Sequence, residues 1–150
     1  MLRLTRTASD NPDFRALVQL LDHDLRERNG PDHAFYAQFN KVDKIKHVVV
    51  AYQHDEPVGC GAIKEFTAEL MEVKRMFVHP SWRGQGIAPA VLAELERWAQ
   101  ELHYKGCVLE TGMKQLEAIR LYQKSGYQRI PNYGQYVGVE NSVCMQKELT

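Results

Sequence analysis

A surplus of charge of one sign, long apolar runs and paired cysteines are all missing from this sequence. Lys plus Arg and Asp plus Glu both count 19 in 150 residues. No global field therefore recruits nucleic acid or an anionic membrane, and any anion site has to be local. The apolar stretch VVVAY is far shorter than the ~20 residues of a spanning helix, and the opening MLRLTRTASD has no apolar core of signal-peptide length. Cys60, Cys107 and Cys144 are an odd number, far apart in apolar runs. They read as buried thiols of a cytoplasmic protein, not as a disulfide framework. HExxH and CxxC are absent and the six histidines are scattered, so no metal site is expected. No repeat, low-complexity tract or Pro/Gly/Ser linker divides the chain, and residues 1–150 read as a single domain.

What is present is a regular alternation of element signals. LRLTR alternates like a short strand. Asn11-Pro12 supplies a cap and a first-turn proline, followed by a helical stripe of Phe14, Leu17, Val18, Leu21 and Leu25. Asn29-Gly30-Pro31 ends that helix, and DHAFYAQFNK reads as a second, shorter one. HVVVAYQ, VGCGAIKEF and LMEVKRMFV, separated by short breaks, predict three strands joined by antiparallel connections. A long helix follows with Ile87, Val91, Leu95, Trp98, Ala99 and Leu102 on one face. CVLET then reads as a strand, QLEAIRLYQKSG as a helix ended by Gly126, and YQRI with NSVCMQKEL as a closing pair of strands. The order β, α, α, β, β, β, α, β, α, β, β predicts an α/β (α+β) fold. Its central sheet is mixed, largely antiparallel and of about seven strands, with helices on both faces.

The junction MFVHPSWRGQGIAPAVL, residues 76–92, carries the strongest chemical signal. The first N–H groups of a helix lack intrahelical partners and sit in the positive end of its dipole. Gly84 and Gly86 let the chain curl and let a ligand approach the backbone, and Arg83 adds a charged fork for phosphate oxygens. Together they can cradle a pyrophosphate. A tight strand-to-helix turn using glycine for geometry alone is the plainer reading of an isolated GxG. A dinucleotide fingerprint would need a third glycine where Pro89 stands, and a P-loop would need GxxxxGK[ST].

Arg83-Gly84-Gln85-Gly86-Ile87-Ala88 spells R-x-x-G-x-A, which resembles the acetyl-CoA-binding motif of the GNAT superfamily of N-acetyltransferases. QLEAIRLYQKSGYQRI is similar to that family's N-x-x-A-x-x-L-Y-x-K-x-G-F segment, with Gln115 in place of Asn and Tyr127 in place of Phe. The resemblance spans nearly the whole chain and implies an acetyl-CoA-dependent N-acetyltransferase with CoA as co-substrate and no metal. It implies a pyrophosphate site at Arg83, Gly84, Gln85, Gly86, Ile87 and Ala88. The pantetheine arm would run along the backbone of Met76, Phe77 and Val78 between two splayed strands, with further cofactor contacts from Gln115 and Tyr122.

Amide formation needs an unprotonated amine, so a base has to take its proton, and backbone donors have to stabilise the developing oxyanion. Glu72 lies four residues before Met76, and strict strand alternation places both on one face. The resemblance makes Glu72 the candidate base and Tyr122 the acid for the departing thiolate. Glu72 is otherwise a strand carboxylate paired with Lys74 or Arg75, and Tyr122 a packed aromatic. Glu65 and Glu110 are the substitute bases.

The acceptor, a primary amine of a small molecule or else of a peptide or protein, would face HAFYAQF and IPNYGQYVGVENS. His33, Tyr36, Tyr133, Tyr136 and Asn141 are the candidate contacts there, or else residues that shape a hydrated loop. The protein is expected to act as a monomer or homodimer, without nucleic-acid or membrane partners. A CoA-binding sensor or regulatory subunit of the same fold is the alternative.

Overall fold

The computed structural model describes residues 1–29 and 44–150. The expected helix in DHAFYAQFNK, with His33 and Tyr36, lies outside the described residues. Strand β1 (Leu2–Thr7) is followed by helix α1 (Pro12–Asn29), and then by β2 (His47–Gln53), β3 (Glu56–Glu65) and β4 (Leu70–Val78). Helix α2 (Ile87–Glu101), β5 (Gly106–Gly112), α3 (Leu116–Lys124), β6 (Gln128–Ile130) and β7 (Ser142–Glu148) complete the order. The seven strands form one sheet in the order β1-β2-β3-β4-β5-β7-β6. Only β4 and β5 run parallel; the other neighbours are antiparallel. The mixed, largely antiparallel sheet is the one expected from the element order.

Local chemistry explains where the elements begin and turn. The Asn11 side-chain oxygen accepts from the N–H of Asp13 at 2.9 Å and of Phe14 at 3.0 Å. It thereby caps α1 ahead of a first-turn proline. His54 and Asp55, both in the left-handed region at φ 51° and 64°, make the two-residue β2–β3 turn, whose twist suits a hairpin.

The two faces of the sheet carry separate cores. Phe14, Leu17, Val18 and Leu21 of α1 pack on Val48, Val50, Tyr52, Cys60, Ala62 and Phe77. On the other side Ile87, Val91, Leu92, Leu95 and Ala99 of α2 pack on Val49, Ala51, Val58, Ile63, Met71 and Val73. The continuous apolar run of β2 is thus explained, since its alternate residues serve two cores. Helix α3 adds Tyr122, Ala118, Ile119 and Leu121 to the α2 core. Leu102, expected on the α2 stripe, lies one residue past the helix end and is exposed.

Two irregularities of β4 shape everything downstream. Its parallel pairing with β5 is confined to Leu70–Gly106, Met71–Cys107 and Glu72–Val108. Beyond that point the two strands diverge. On its other edge the register with β3 shifts between Cys60, which faces Phe77, and Ala62, which faces Lys74. Arg75 and Met76 therefore oppose Gly61 alone, and Arg75 takes φ 60°: a β-bulge. A Cβ at Gly61 would stand 2.5 Å from the Met76 sulfur and 2.9 Å from Leu95 Cδ1, so a larger residue opposite the bulge would have to displace those side chains.

Close strand packing also makes Gly106 sensitive. A Cβ there would lie 2.9 Å from the backbone oxygen of Lys147 and 2.9 Å from Leu70 Cδ2. Gly106→Ala should destabilise the protein by about 1–3 kcal/mol, the usual cost of overpacking. Denaturant titration would show this as a lower midpoint, and an unchanged midpoint would mean that β5 and β7 part freely.

Candidate active site

Helix α2 opens at Gly86, which stands at φ 78°, with Gly84 at φ 79° just before it. A Cβ at either position would meet nothing within 4 Å. Both therefore face open space, and glycine satisfies the left-handed backbone without strain. Arg83 is held beside this turn. Its Nε donates to the Val78 carbonyl at 2.9 Å, its guanidinium lies 5.5 Å from the centre of the Phe77 ring, and Asp24 stands 4.0 Å away.

The turn forms one end of a long cleft of about 1290 Å³ counting its open mouth, walled by Met76, Phe77, Val78, Arg83, Gly84, Gly86, Ile87 and Ala88. Gln115, Tyr122, Arg120 and Lys124 line the opposite wall, from the start and along the length of α3. The cleft lies where β4 and β5 part. Neither cation of α3 was among the expected site residues, although Lys124 is the lysine of the L-Y-x-K-x-G segment; only docking α3 across from the glycine turn brings them to the cleft.

A second, smaller pocket opens on the α1 side between β4 and β5. Leu21, Leu25, Glu72, Lys74, Arg75, Met76, Glu110, Thr111, Gln115, Tyr122 and Tyr136 are among its walls. Leu21, Met76, Gln115 and Tyr122 line both cavities, so the cleft and the pocket meet at the Tyr122 ring. Tyr122 is only 6% exposed and stacks edge-on with Tyr127 at 5.8 Å. Burial, then the neighbouring Glu110 charge, raise its hydroxyl pKa. The phenol therefore stays protonated through the neutral range.

The bulge corrects one expectation about Glu72. Strict alternation would place Glu72 and Met76 on the same face. Instead Met76 packs with the α2 core, whereas Lys74 pairs with Ala62 of the α1 core. Residues directly opposite on paired strands share a face, so Lys74, and Glu72 two residues before it, lie on the α1 side. Glu72 reaches the smaller pocket from there. Its Oε2 accepts from the Tyr133 hydroxyl at 2.6 Å, and its Oε1 lies 3.8 Å from Lys74 Nζ. Burial, then Glu72, push the Tyr133 hydroxyl pKa up.

Glu110, on β5 beyond the last β4–β5 pair, presents the other carboxylate. Its Oε2 is buried without a hydrogen-bond partner among the described residues. Burial raises its pKa to about 7; Ser142 opposes the shift through a hydrogen bond, Glu72 adds to it and Lys74 opposes it. A carboxyl poised near neutrality can trade protons at working pH.

The remaining expected site residues divide. Tyr136 is buried in the pocket wall, and Tyr133 touches the pocket through Glu72 and stacks on Phe66 at 4.6 Å. Asn141 is exposed and lines neither cavity; its backbone oxygen accepts from Met113. Gln85 is exposed and outside the cleft lining. Glu65 is exposed, bonded by Tyr104 and remote from the pocket walls. Among the described residues no cluster of His, Cys, Asp or Glu could hold a metal ion, and no helix is long and apolar enough to cross a membrane.

Known proteins resemble this chain in sequence and fold. The model of the acetyltransferase (GNAT) family matches residues 14–127. The uncharacterized N-acetyltransferase YsnE of Bacillus subtilis is 37% identical over 127 residues, 83% of this chain and 76% of that protein. A crystal structure from Klebsiella pneumoniae, provisionally named an acyl-CoA N-acyltransferase, superposes with TM-score 0.83 at 30% identity over 100% of this chain and 99% of the other. A GNAT family acetyltransferase from Elizabethkingia anophelis, solved with acetyl-CoA bound, shares the fold with TM-score 0.71 at 19% identity over 99% and 98% of the two chains. The chain therefore belongs to the GNAT family, and it is an acetyltransferase that draws its acetyl group from an acyl-CoA.

Proposed function

We propose that the enzyme acetylates the primary amine of a small molecule, the amine attacking acetyl-CoA directly while both substrates are bound. The observation that carries this reading is the meeting of two cavities at Met76, Gln115 and Tyr122. The cleft suits the thioester, the smaller pocket suits the amine, and these residues, with Leu21, are common to both. Holding both reactants in place turns a bimolecular step into an intramolecular one.

In this reading the pyrophosphate rests on the backbone of Gly84 to Ala88 at the start of α2, with Arg83, Arg120 and Lys124 around it. Gln85 contributes through its backbone alone. The pantetheine arm lies against the β4 edge at Met76, Phe77 and Val78, where β5 has turned away. Gln115 supports the cofactor from the start of α3. Backbone N–H groups of that same β4 edge receive the oxyanion.

The acceptor enters as an ammonium, drawn by Glu72 and Glu110. Glu110 takes its proton, because Glu110 Oε2 is unpartnered whereas both oxygens of Glu72 are engaged. The free amine attacks the thioester carbon, the C–S bond breaks, and Tyr122 gives its proton to the departing thiolate. Tyr122 recovers a proton from the attacking nitrogen as the amide forms. Tyr133 and Tyr136 wall the acceptor. Three free, buried thiols suit a reducing compartment such as the cytoplasm.

A CoA-binding sensor would use the cleft and has no need of a second cavity holding two carboxylates. Release of free thiol from acetyl-CoA across a panel of primary amines separates the two readings. Amine-dependent release is the expected result, and binding of acetyl-CoA without release by any amine would favour the sensor.

The base assignment predicts a pH profile. In the parent enzyme kcat/KM should fall as pH drops below about 7, as Glu110 protonates. Glu110→Gln should remove that limb and lower turnover by about 10²-fold near neutrality, the scale of general-base catalysis. Glu72→Gln should instead move the limb to lower pH, because Glu72 helps to raise the Glu110 pKa. Loss of the limb in Glu72→Gln alone would make Glu72 the base.

The same Glu110 shift has a consequence for stability. A carboxyl raised from 4.5 to about 7 favours folding fully below 4.5, and that contribution is lost as pH rises through 7. Glu110→Gln should therefore be the more stable protein at pH 8, by a few kcal/mol at most and ~5 °C in Tm. The advantage should fade toward pH 4. Equal melting temperatures at pH 8 would show that the carboxylate is well solvated.

A further inference from the structure

The bulge in β4 brings a charged side chain, which the reaction scheme above leaves unused, to the α1 side of the sheet beside the acceptor pocket. Arg75 would point with Met71 and Val73 into the apolar α2 core if the strand alternated strictly. The extra residue and the left-handed φ of 60° deliver it to the α1 side instead. There it forms part of the wall of the smaller pocket, beside Glu72, Lys74 and Glu110. Its side chain is only 1% exposed. Nη2 donates to Asp22 Oδ1 at 2.5 Å, while Nε and Nη1 are buried with no partner among the described residues. Asp22 is itself about half exposed, so water weakens the compensation it offers.

We infer that the acceptor carries a carboxylate close to its amine, as a free amino acid does, and that Arg75 binds this carboxylate while Glu72 and Glu110 receive the ammonium. The inference rests on the acetyl-transfer reading and names its substrate class. A buried guanidinium with unused donors is costly until an anion meets it. Its planar fork matches the two oxygens of a carboxylate. The charges around it choose among anions. Glu72 and Glu110 stand in the same pocket, with Lys74 already paired to Glu72, so a phosphate dianion would face two carboxylates, whereas a zwitterion meets an opposite charge at each end. Because both ends are bound within one small pocket, the two groups of the acceptor have to be only a few bonds apart. Leu21, Leu25 and Tyr136 leave an apolar wall for the rest of the molecule.

Matched acceptors test this directly. Thiol release from acetyl-CoA is measured with several amino acids, each beside its carboxamide and its decarboxylated amine. The free acid should have a kcat/KM at least about 10-fold above both. The carboxamide is the stricter control, since its less basic amine is the more readily deprotonated. Arg75→Gln should lower kcat/KM for the free acid by about 10²-fold, chiefly through KM, and at least about tenfold more than for the amide. Arg75→Lys should recover part of the loss. Acetyl-CoA affinity, measured by calorimetry, reports whether each variant is folded, and the parent enzyme's acceptor preference decides the matter if a variant is not.

Amides or simple amines used as well as free acids would overturn the inference and leave amine acetylation standing. So would an equal loss for acid and amide in a folded Arg75→Gln. No thiol release with any acceptor would overturn the transfer reading and this inference together.

Discussion

The protein depends on the early end of one strand pairing. After three residue pairs β4 and β5 stop bonding to each other, and the backbone of β4 from Val73 onward loses its neighbour on that side. Backbone N–H and C=O groups inside a protein need partners, and an edge of this kind is a template for another extended chain. The pantetheine arm, with its amide groups, is such a chain. The same divergence opens the gap on the α1 side where Glu72 and Glu110 face one pocket. One interruption of the sheet therefore supplies the cleft proposed for the cofactor, the pocket proposed for the acceptor and the point where they meet.

The bulge at Arg75 decides what each cavity contains. Without the extra residue Met76 would fall on the α1 side and Arg75 among the apolar side chains of α2. With it, Met76 packs toward Val91 and Leu95, Phe77 joins the α1 core, and the charged side chains 72, 74 and 75 all reach the acceptor side. Gly61 accommodates the bulge from the opposite strand. Bulges commonly re-aim side chains beside active sites, and here the re-aiming sorts apolar from charged groups along six residues of one strand.

Periodicity made most of the fold legible. The stripes of α1 and α2, the Asn11 cap and the order of elements among the described residues all followed from local signals that the tertiary structure respects. The glycine turn at the start of α2 was legible because a left-handed glycine at a helix start leaves a local mark. The acceptor side was harder to read, for physical reasons. A bulge inserts one residue into an alternating pattern without altering composition, so Glu72 was placed on the wrong face relative to Met76 and Arg75 figured only as a possible partner of Glu72. Glu110 ranked only as a substitute base because its perturbation comes from burial between β5 and β7 and from Glu72, neither of which is local in sequence. Asn141 and Gln85 had suitable chemistry but are exposed and line neither cavity.

The central claim is that the unpaired edge of β4 receives the cofactor as an added strand would. Amide hydrogen exchange followed by NMR, with and without acetyl-CoA, tests it most directly. The account predicts that acetyl-CoA slows exchange at those amides among Met76, Phe77 and Val78 that face β5, together with Gly84 to Ile87, and leaves β1 and β2 unaltered. Protection at the glycine turn with no change along Met76 to Val78, or no change at either place, would contradict it.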